Sequence, residues 1–503
     1  MNRLVFLLWS LPYLTGCTQG DIAELLSDDL YYISGNSIVR SDIDSSSLLR
    51  NPCMGWVLYD DAWLETEDAE QYWAEQDQNA RMYGSIFYIR WRWSDMEPTE
   101  GDYAWNNNPN FIKHIEEAKK RGLKIAFRIY NNSRDNLYQS TPDFVRRAGA
   151  EGYTVPGLYE DFWTPYPDDP IFQQKMVNFI NAFAEKFDDP DIVDFIDGVN
   201  LGFWGECNNV RLKDQTKMTE VYKWITTVYG NAFKRVILVS NIASDFGYNN
   251  EKEIAVQHNG YALRRDGLGS FWIRDIDKFA SLDAFRNHTL LLGEGAYWKG
   301  NDDNPIYKPW VNSNDSRIPK DATWRTFYEF SLEDALQLGY NTLDLREVVE
   351  TTGWTKYGND LVCKFICEGG YRFQPLYFSV PEKIDISKTF AIGHTWKNVG
   401  KGIFPNDNLR WNYKYKVAFA LIDENDTVVC TLVDDQAEPS LWSENVVVKN
   451  VFITMLPDTL DKKQYTLSYA IIDKTKHNTP SIAVAVKGYC TPQWIPINKV
   501  TIY

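Results

Sequence analysis

Two glutamates in this chain sit in matching surroundings. GFWGECNN (202–209) places Glu206 after a tryptophan and a glycine, and LLLGEGAYW (290–298) places Glu294 after three leucines and a glycine. A carboxyl pressed against an apolar wall holds its proton, and one beside cations gives it up. Two carboxyls treated in these opposite ways form an acid and a base, and such a pair at one cleft can cleave a glycosidic bond. One protonates the leaving oxygen; the other attacks the anomeric carbon or activates water. Burial against Trp204 suits Glu206 to the acid's part. Either glutamate alone is as readily a strand-end residue held by an arginine or a helix terminus. The pair together favours catalysis.

The elements that must position them alternate regularly between about residues 50 and 372. Apolar strand patterns fall at 55–61, 85–93, 124–130, 193–206, 236–241, 262–269, 289–295 and 340–346. Amphipathic helices separate them; in FIKHIEEAKKRG (111–122) Phe111, Ile112, Ile115 and Ala118 share a side and Gly122 ends the run. Eight strands alternating with helices predict parallel pairing and closure into a (β/α)8 TIM barrel, an α/β fold. Its working face is the C-terminal end of the strands, where Glu206 closes the fourth and Glu294 the seventh. No GxGxxG follows an early strand, so a dinucleotide-binding sheet has no support. After residue 373, runs such as YKVAFALID and QYTLSYAIID alternate without helical patterns and predict a C-terminal all-β sandwich. The expected division is a leader at 1–17, a tether at 18–47, the barrel at 48–372 and the sandwich at 373–503.

Other residues are candidates by position. Arg90 and Arg128, on the second and third strands, would hydrogen-bond a carboxylate and keep it ionised, or else form strand-end ion pairs. Arg264, Arg265 and Asp266 close the sixth strand, with one arginine facing outward. Asp344 and Arg346 share a face of the eighth. Trp93, Trp204, Trp298 and Trp354 are sugar platforms or rim packing.

Bulk properties narrow the classes. A formal net charge of −17 repels a phosphate backbone and argues against a nucleic-acid partner. Nineteen Trp and 30 Tyr are more than a core needs, and their flat faces suit an oligo- or polysaccharide. MNRLVFLLWSLPYLTGC carries Arg3 and an apolar stretch too brief to span a bilayer. Its Leu14-Thr15-Gly16-Cys17 resembles a bacterial lipobox, which implies lipidation at Cys17. That implies a soluble body in the cell envelope of a Gram-negative bacterium, touching membrane through its anchor alone. Six further cysteines read as mostly buried thiols. Cys363 and Cys367, four apart on an expected helix, are poorly oriented for a disulfide. No zinc pattern is present, so neither a metal nor an organic cofactor is expected.

YIRWRWSDMEPTEGDYAWN (88–106) resembles the W-x-x-x-EP-x-EG-x-Y/F-x-W/F signature of glycosidases whose glutamates lie on the fourth and seventh barrel strands. That resemblance implies Glu206 as acid/base, Glu294 as nucleophile, and retention of configuration at a β-linked glycan. From residue 50 onward the chain also resembles bacterial lipoproteins with a DUF4832 domain. The residues that carry this are NP-x-x-GW (Asn51, Pro52, Gly55, Trp56), GFWGE, Asp266, Leu268 and Gly269 after Arg264 or Arg265, and W-x-N-x-G (Trp396, Asn398, Gly400). One departure stands out. The resemblance implies an asparagine directly before the acid/base, binding the sugar 2-hydroxyl, and this chain has Gly205. Asn200, six residues earlier in the same strand, is a candidate barrel-facing residue that cannot occupy the same position; Asn241 and Asn131, each at a strand end, are the candidate substitutes.

Two other readings remain open. A glycan-binding lipoprotein with a degenerate barrel accords with Gly205 but has no need of both glutamates. A scaffold barrel with a partner-docking β-domain is weaker, because VVVKNVFITML suits a core or an interface.

Overall fold

The computed structural model describes residues 33–61, 68–134, 137–242, 244–270, 273, 282–286, 288–297 and 318–503. Eight strands close a barrel. They are β1 (Gly55–Asp61), β2 (Gly84–Arg92), β3 (Lys124–Tyr130), β4 (Val193–Asp197), β5 (Ile237–Asn241), β6 (Ala262–Leu268), β7 (Leu291–Gly295) and β8 (Thr342–Arg346). Every pairing is parallel, and β8 returns to β1 through Thr342 opposite Gly55. The expected TIM barrel is therefore present, strand for strand.

One strand is shorter than the sequence suggests. The pattern at 193–206 reads as a single strand, but β4 ends at Asp197. Beyond it, Asn200, Gly202, Trp204, Gly205, Cys207 and Asn209 all take positive φ, so the backbone coils instead of running on. Glu206 consequently lies on a loop above the barrel, not at a strand end.

Helices cover the barrel, and several carry side-chain caps. α1 (Ala69–Met82) starts at Asp68, whose carboxylate accepts from the Gln71 N–H. α2 (Pro109–Lys120) and α3 (Pro170–Phe187) start at Asn108 and Asp169 in the same way, each with proline in its first turn. α4 (Met218–Ala232), α5 (Trp324–Leu338) and α6 (Val348–Glu368) follow. Between barrel and helices lies an aromatic layer in which Phe111, Phe127, Phe183 and Phe187 pack ring to ring. Each such buried ring contributes roughly 1.5–3 kcal/mol.

The second unit comprises residues 33–45, 372–399 and 413–503, whereas 400–412 belongs with the barrel. One sheet holds Asn36–Arg40, Phe373–Pro381, Phe390–Asn398 and Val447–Thr454. The other is built on Tyr415–Ile422, Val428–Asp434, Gln464–Asp473 and Ile495–Ile502. Phe378 of the first sheet packs on Phe419 and Tyr469 of the second, so the two form a sandwich. The stretch 18–47, expected to be a tether, gives a strand to this sandwich at Asn36–Arg40, paired antiparallel with Tyr377–Pro381. Cys363 and Cys367 both lie on α6 as expected. None of the six cysteines beyond Cys17 forms a disulfide, but only Cys53 and Cys207 are buried; Cys363 is exposed and the others are half-buried. No described helix is long and apolar enough to cross a membrane.

Candidate active site

Strand register gathers a belt of charged side chains at the C-terminal end of the barrel. Arg90 on β2 stands opposite Arg128 on β3, Arg128 opposite Asp197 on β4, and Asn241 on β5 opposite Arg264 on β6. Glu294 on β7 and Asp344 and Arg346 on β8 complete it. Irregular pairing at Gly293–Gly295 between β7 and β6, and at Asp344–Arg346 between β8 and β1, loosens the ladder where these side chains converge.

Glu294 is the hub. Its Oε2 accepts from Arg128 Nη2 at 3.0 Å and from Arg264 Nη1. Its Oε1 accepts from Arg346 Nη2 at 2.8 Å and has Arg90 Nη1 at 3.7 Å. The side chain is 4% exposed. Burial alone would raise its pKa, but the Arg346, Arg128, Arg264 and Arg90 charges overwhelm that and hold it well below the usual carboxylate range. Glu294 is an anion at any ordinary pH.

Glu206 is treated oppositely. Arg128 Nη1 donates to its Oε1 at 2.7 Å, so one guanidinium hydrogen-bonds both glutamates. Burial and the neighbouring Asp266 charge nevertheless raise the Glu206 pKa, outweighing Arg128 and Arg90. Its turn is tight: the Glu206 N–H bonds to Phe203 O at 3.0 Å, and Phe203 bridges to Asn208. Gly205, at φ +71°, is where the backbone passes over Arg128. A Cβ there would meet Tyr130 Cβ at 3.3 Å and Arg128 Cγ at 3.4 Å. A side chain at position 205 is thus opposed chiefly by the left-handed backbone and by the close Tyr130 Cβ, with the Arg128 methylenes at ordinary contact distance.

A further layer fixes the arginines. Arg128 Nε donates to Tyr88 OH at 2.6 Å, and Tyr88 in turn bonds to Asp197 Oδ2. Arg264 Nε donates to Asp197 Oδ1 at 2.9 Å, and its Nη2 to Asn241 Oδ1 at 2.9 Å. Asp344 accepts from Arg346 Nε at 2.5 Å and from the Gly295 N–H at 2.6 Å. Held in this way, the guanidinium forks cannot rotate away from Glu294 without breaking bonds elsewhere.

The sequence-derived candidates divide sharply. Arg90, Arg128, Asn241, Asp266 and Asp344 lie in or against this belt, and Arg264 is the inward arginine of its pair. Trp204 is half-buried beside Glu206. Trp93 is not a platform: it is 0% exposed, donates to Glu97 Oε2 at 2.9 Å and packs among Phe144, Phe172 and Phe179. Trp354 is on α6, stacked on Tyr328 with centroids 4.1 Å apart, and is core. Asn200 is turned away, its Oδ1 accepting from Tyr229 OH and its Nδ2 against Met176. Asn131 is buried with its carbonyl accepting from Thr141 Oγ1 at 2.7 Å. Trp298 and Cys17 lie outside the described residues. Sequence reasoning missed Tyr88 and Asp197. Tyr88 was legible, being two residues from Arg90 on the same strand face. Among the described residues no group of three or more His, Cys, Asp or Glu is placed to hold a metal ion.

No family model and no curated protein matches the chain. Among solved structures it is similar to the endo-glycoceramidase II of Rhodococcus sp. at 14% identity, covering 83% of this chain and 100% of that one, with a TM-score of 0.41. It is similar to an exo-beta-1,4-mannosidase of an Opitutaceae bacterium at 14% identity, covering 64% of this chain and 58% of that one, with a TM-score of 0.37. A D-psicose 3-epimerase of Clostridium cellulolyticum is similar at 12% identity, covering 62% of this chain and 96% of that one, with a TM-score of 0.34. The chain spans less than two-thirds of the length of that mannosidase.

Proposed function

We propose that the barrel is a retaining glycoside hydrolase for a β-linked glycan, with Glu206 as acid/base and Glu294 as nucleophile. The observation that carries this reading is one guanidinium, that of Arg128, bonded to two glutamates whose proton affinities are driven apart. Environments that separate two carboxyls in this way assign one as acid and the other as anion. In the first step the Glu294 carboxylate attacks the anomeric carbon, and Glu206 gives its proton to the departing oxygen. A covalent glycosyl ester forms on Glu294. Glu206, now a carboxylate, takes a proton from water, which displaces the ester and restores both groups. The test is hydrolysis of aryl β-glycosides and of plant, algal and host glycans by wild type, Glu206→Gln and Glu294→Gln. Glu206→Gln is expected to cost about 10²–10⁴-fold on glycosides with poor leaving groups. Glu294→Gln is expected to be inert, and full activity in either variant would end the proposal.

A second reading is a glycan-binding protein without turnover. It is favoured by the occupancy of Glu294, both of whose oxygens already accept arginine N–H bonds. A wild type that binds a glycan and cleaves none would establish it. For both readings we propose a lipid anchor at Cys17; palmitate labelling that persists in Cys17→Ser would refute it.

A further inference from the structure

Beside Glu206 lies a group of side chains for which cleavage itself has no use. The Asn132 carbonyl, just past β3, accepts from the Trp204 N–H at 2.9 Å. Its side-chain Nδ2 donates to Tyr153 OH at 3.4 Å. Asn132 thus links the backbone of Trp204, two residues from Glu206, to the hydroxyl of Tyr153 on the short strand Gly152–Pro156. Each ring carries a cation: Arg134 lies 5.1 Å from the Trp204 centroid, and Arg211 lies 4.8 Å from that of Tyr153. Arg211 is exposed and has no carboxylate partner among the described residues.

Two features point to a ligand. Asn132 is 4% exposed, yet its side-chain Oδ1 is buried with no hydrogen-bond partner. Turning the amide over moves the orphan from oxygen to nitrogen without removing it. A sugar hydroxyl, both donor and acceptor, satisfies either end, and an unmade bond of this kind is costly. Trp204 itself has φ 56°, a left-handed conformation that a bulky residue rarely adopts, and strain of this kind gathers where loops clamp ligands.

We propose that Asn132, Trp204, Tyr153, Arg134 and Arg211 form a subsite for an acidic sugar, a unit bearing a carboxylate or a sulfate ester. The rings take its apolar face, the amide takes a hydroxyl, and the guanidinium edges take the anion. Resting on the proposed cleavage, this is the leaving-group side, because Glu206 protonates the departing oxygen.

The test is binding of the full chain, as wild type and as Glu206→Gln, to an array that pairs oligogalacturonate with its methyl ester and sulfated galactan with its desulfated form. At least one charged member is expected to bind tenfold or more tightly than its neutral partner, and Arg134→Gln with Arg211→Gln is expected to erase that difference. Both arginines are exposed, so these variants should fold. Preference for the uronate alone or the sulfate alone supports the subsite and names its anion. Equal binding of charged and neutral members, no binding, or a preference that survives both substitutions overturns it. Unselective hydrolysis of neutral glycans would refute the subsite and leave the cleavage standing. Charge-selective binding by an inert protein would do the reverse.

Discussion

The two glutamates set opposite demands on pH. Glu206 must be protonated for the first step and its pKa is raised, so turnover should fall as pH climbs through that value. Glu294 must be ionised and stays so far below the usual carboxylate range. The kcat/KM profile should therefore show an alkaline limb above ordinary carboxylate values, and Glu206→Gln assayed on activated aryl glycosides should lose that limb. An alkaline limb unchanged in Glu206→Gln would assign it to another group. Stability follows with signs to match. A depressed pKa means Glu294 stabilises the fold above about pH 4.3, the unfolded value, and that contribution is lost as pH falls through the folded value. Glu206 works the other way: its contribution is present in acid and is lost as pH rises from the unfolded value through the folded one. Acid unfolding of Glu294→Gln should accordingly be less steep in pH than that of wild type.

At the scale of elements, strand parity decided which residues were legible. Arg90 faces into the barrel, so Trp91 faces out. Alternation carried on over the expected strand 85–93 would put Trp93 with the outward set, although the strand ends at Arg92 and Trp93 opens a helical turn. That count alone argued against Trp93 as a platform; the aromatic cage around it is the physical reason. The barrel was legible because eight apolar strands recur between amphipathic helices. The loop after β4 was not, since VDFIDGVNLGFWGE alternates well enough to pass for strand. Only its run of positive φ values reveals that Glu206 is delivered by a coil. Gly202 is the most crowded glycine of that coil, a Cβ there meeting Asn208 O at 2.5 Å, and Gly205 is the one that passes over Arg128. Gly205→Ala would set a methyl against Arg128 and Tyr130 in a left-handed backbone, at about 1–3 kcal/mol. Urea unfolding should reveal that loss; unchanged stability would mean the loop relaxes freely.

The two units share a small device that neither strand nor helix patterns disclose. In the barrel unit Trp73 Nε1 donates to His114 Nδ1 at 3.2 Å, and His114 Nε2 lies 3.5 Å from Asp60. In the sandwich Trp396 Nε1 donates to His394 Nδ1 at 2.8 Å, and His394 Nε2 lies 2.9 Å from Asp434. An indole N–H on Nδ1 leaves that nitrogen as an acceptor, so each ring carries its proton on Nε2, facing its aspartate. Each device closes through a contact between distant residues, Trp73 with His114 and His394 with Asp434, which is why sequence periodicity gives no hint of them.

The arginine belt around Glu294 has a consequence for how the molecule responds to its medium. Its counter-charges are internal, bonded to one another and shut away from solvent, whereas Arg134 and Arg211 stand where mobile ions reach them. Dissolved salt screens exposed charges over a Debye length of about 8 Å at physiological ionic strength and leaves buried pairs much less affected. Raising sodium chloride should therefore weaken capture of an acidic glycan, seen as a rising KM, while kcat stays nearly level. A kcat that fell in step would show the belt to be open to the bath.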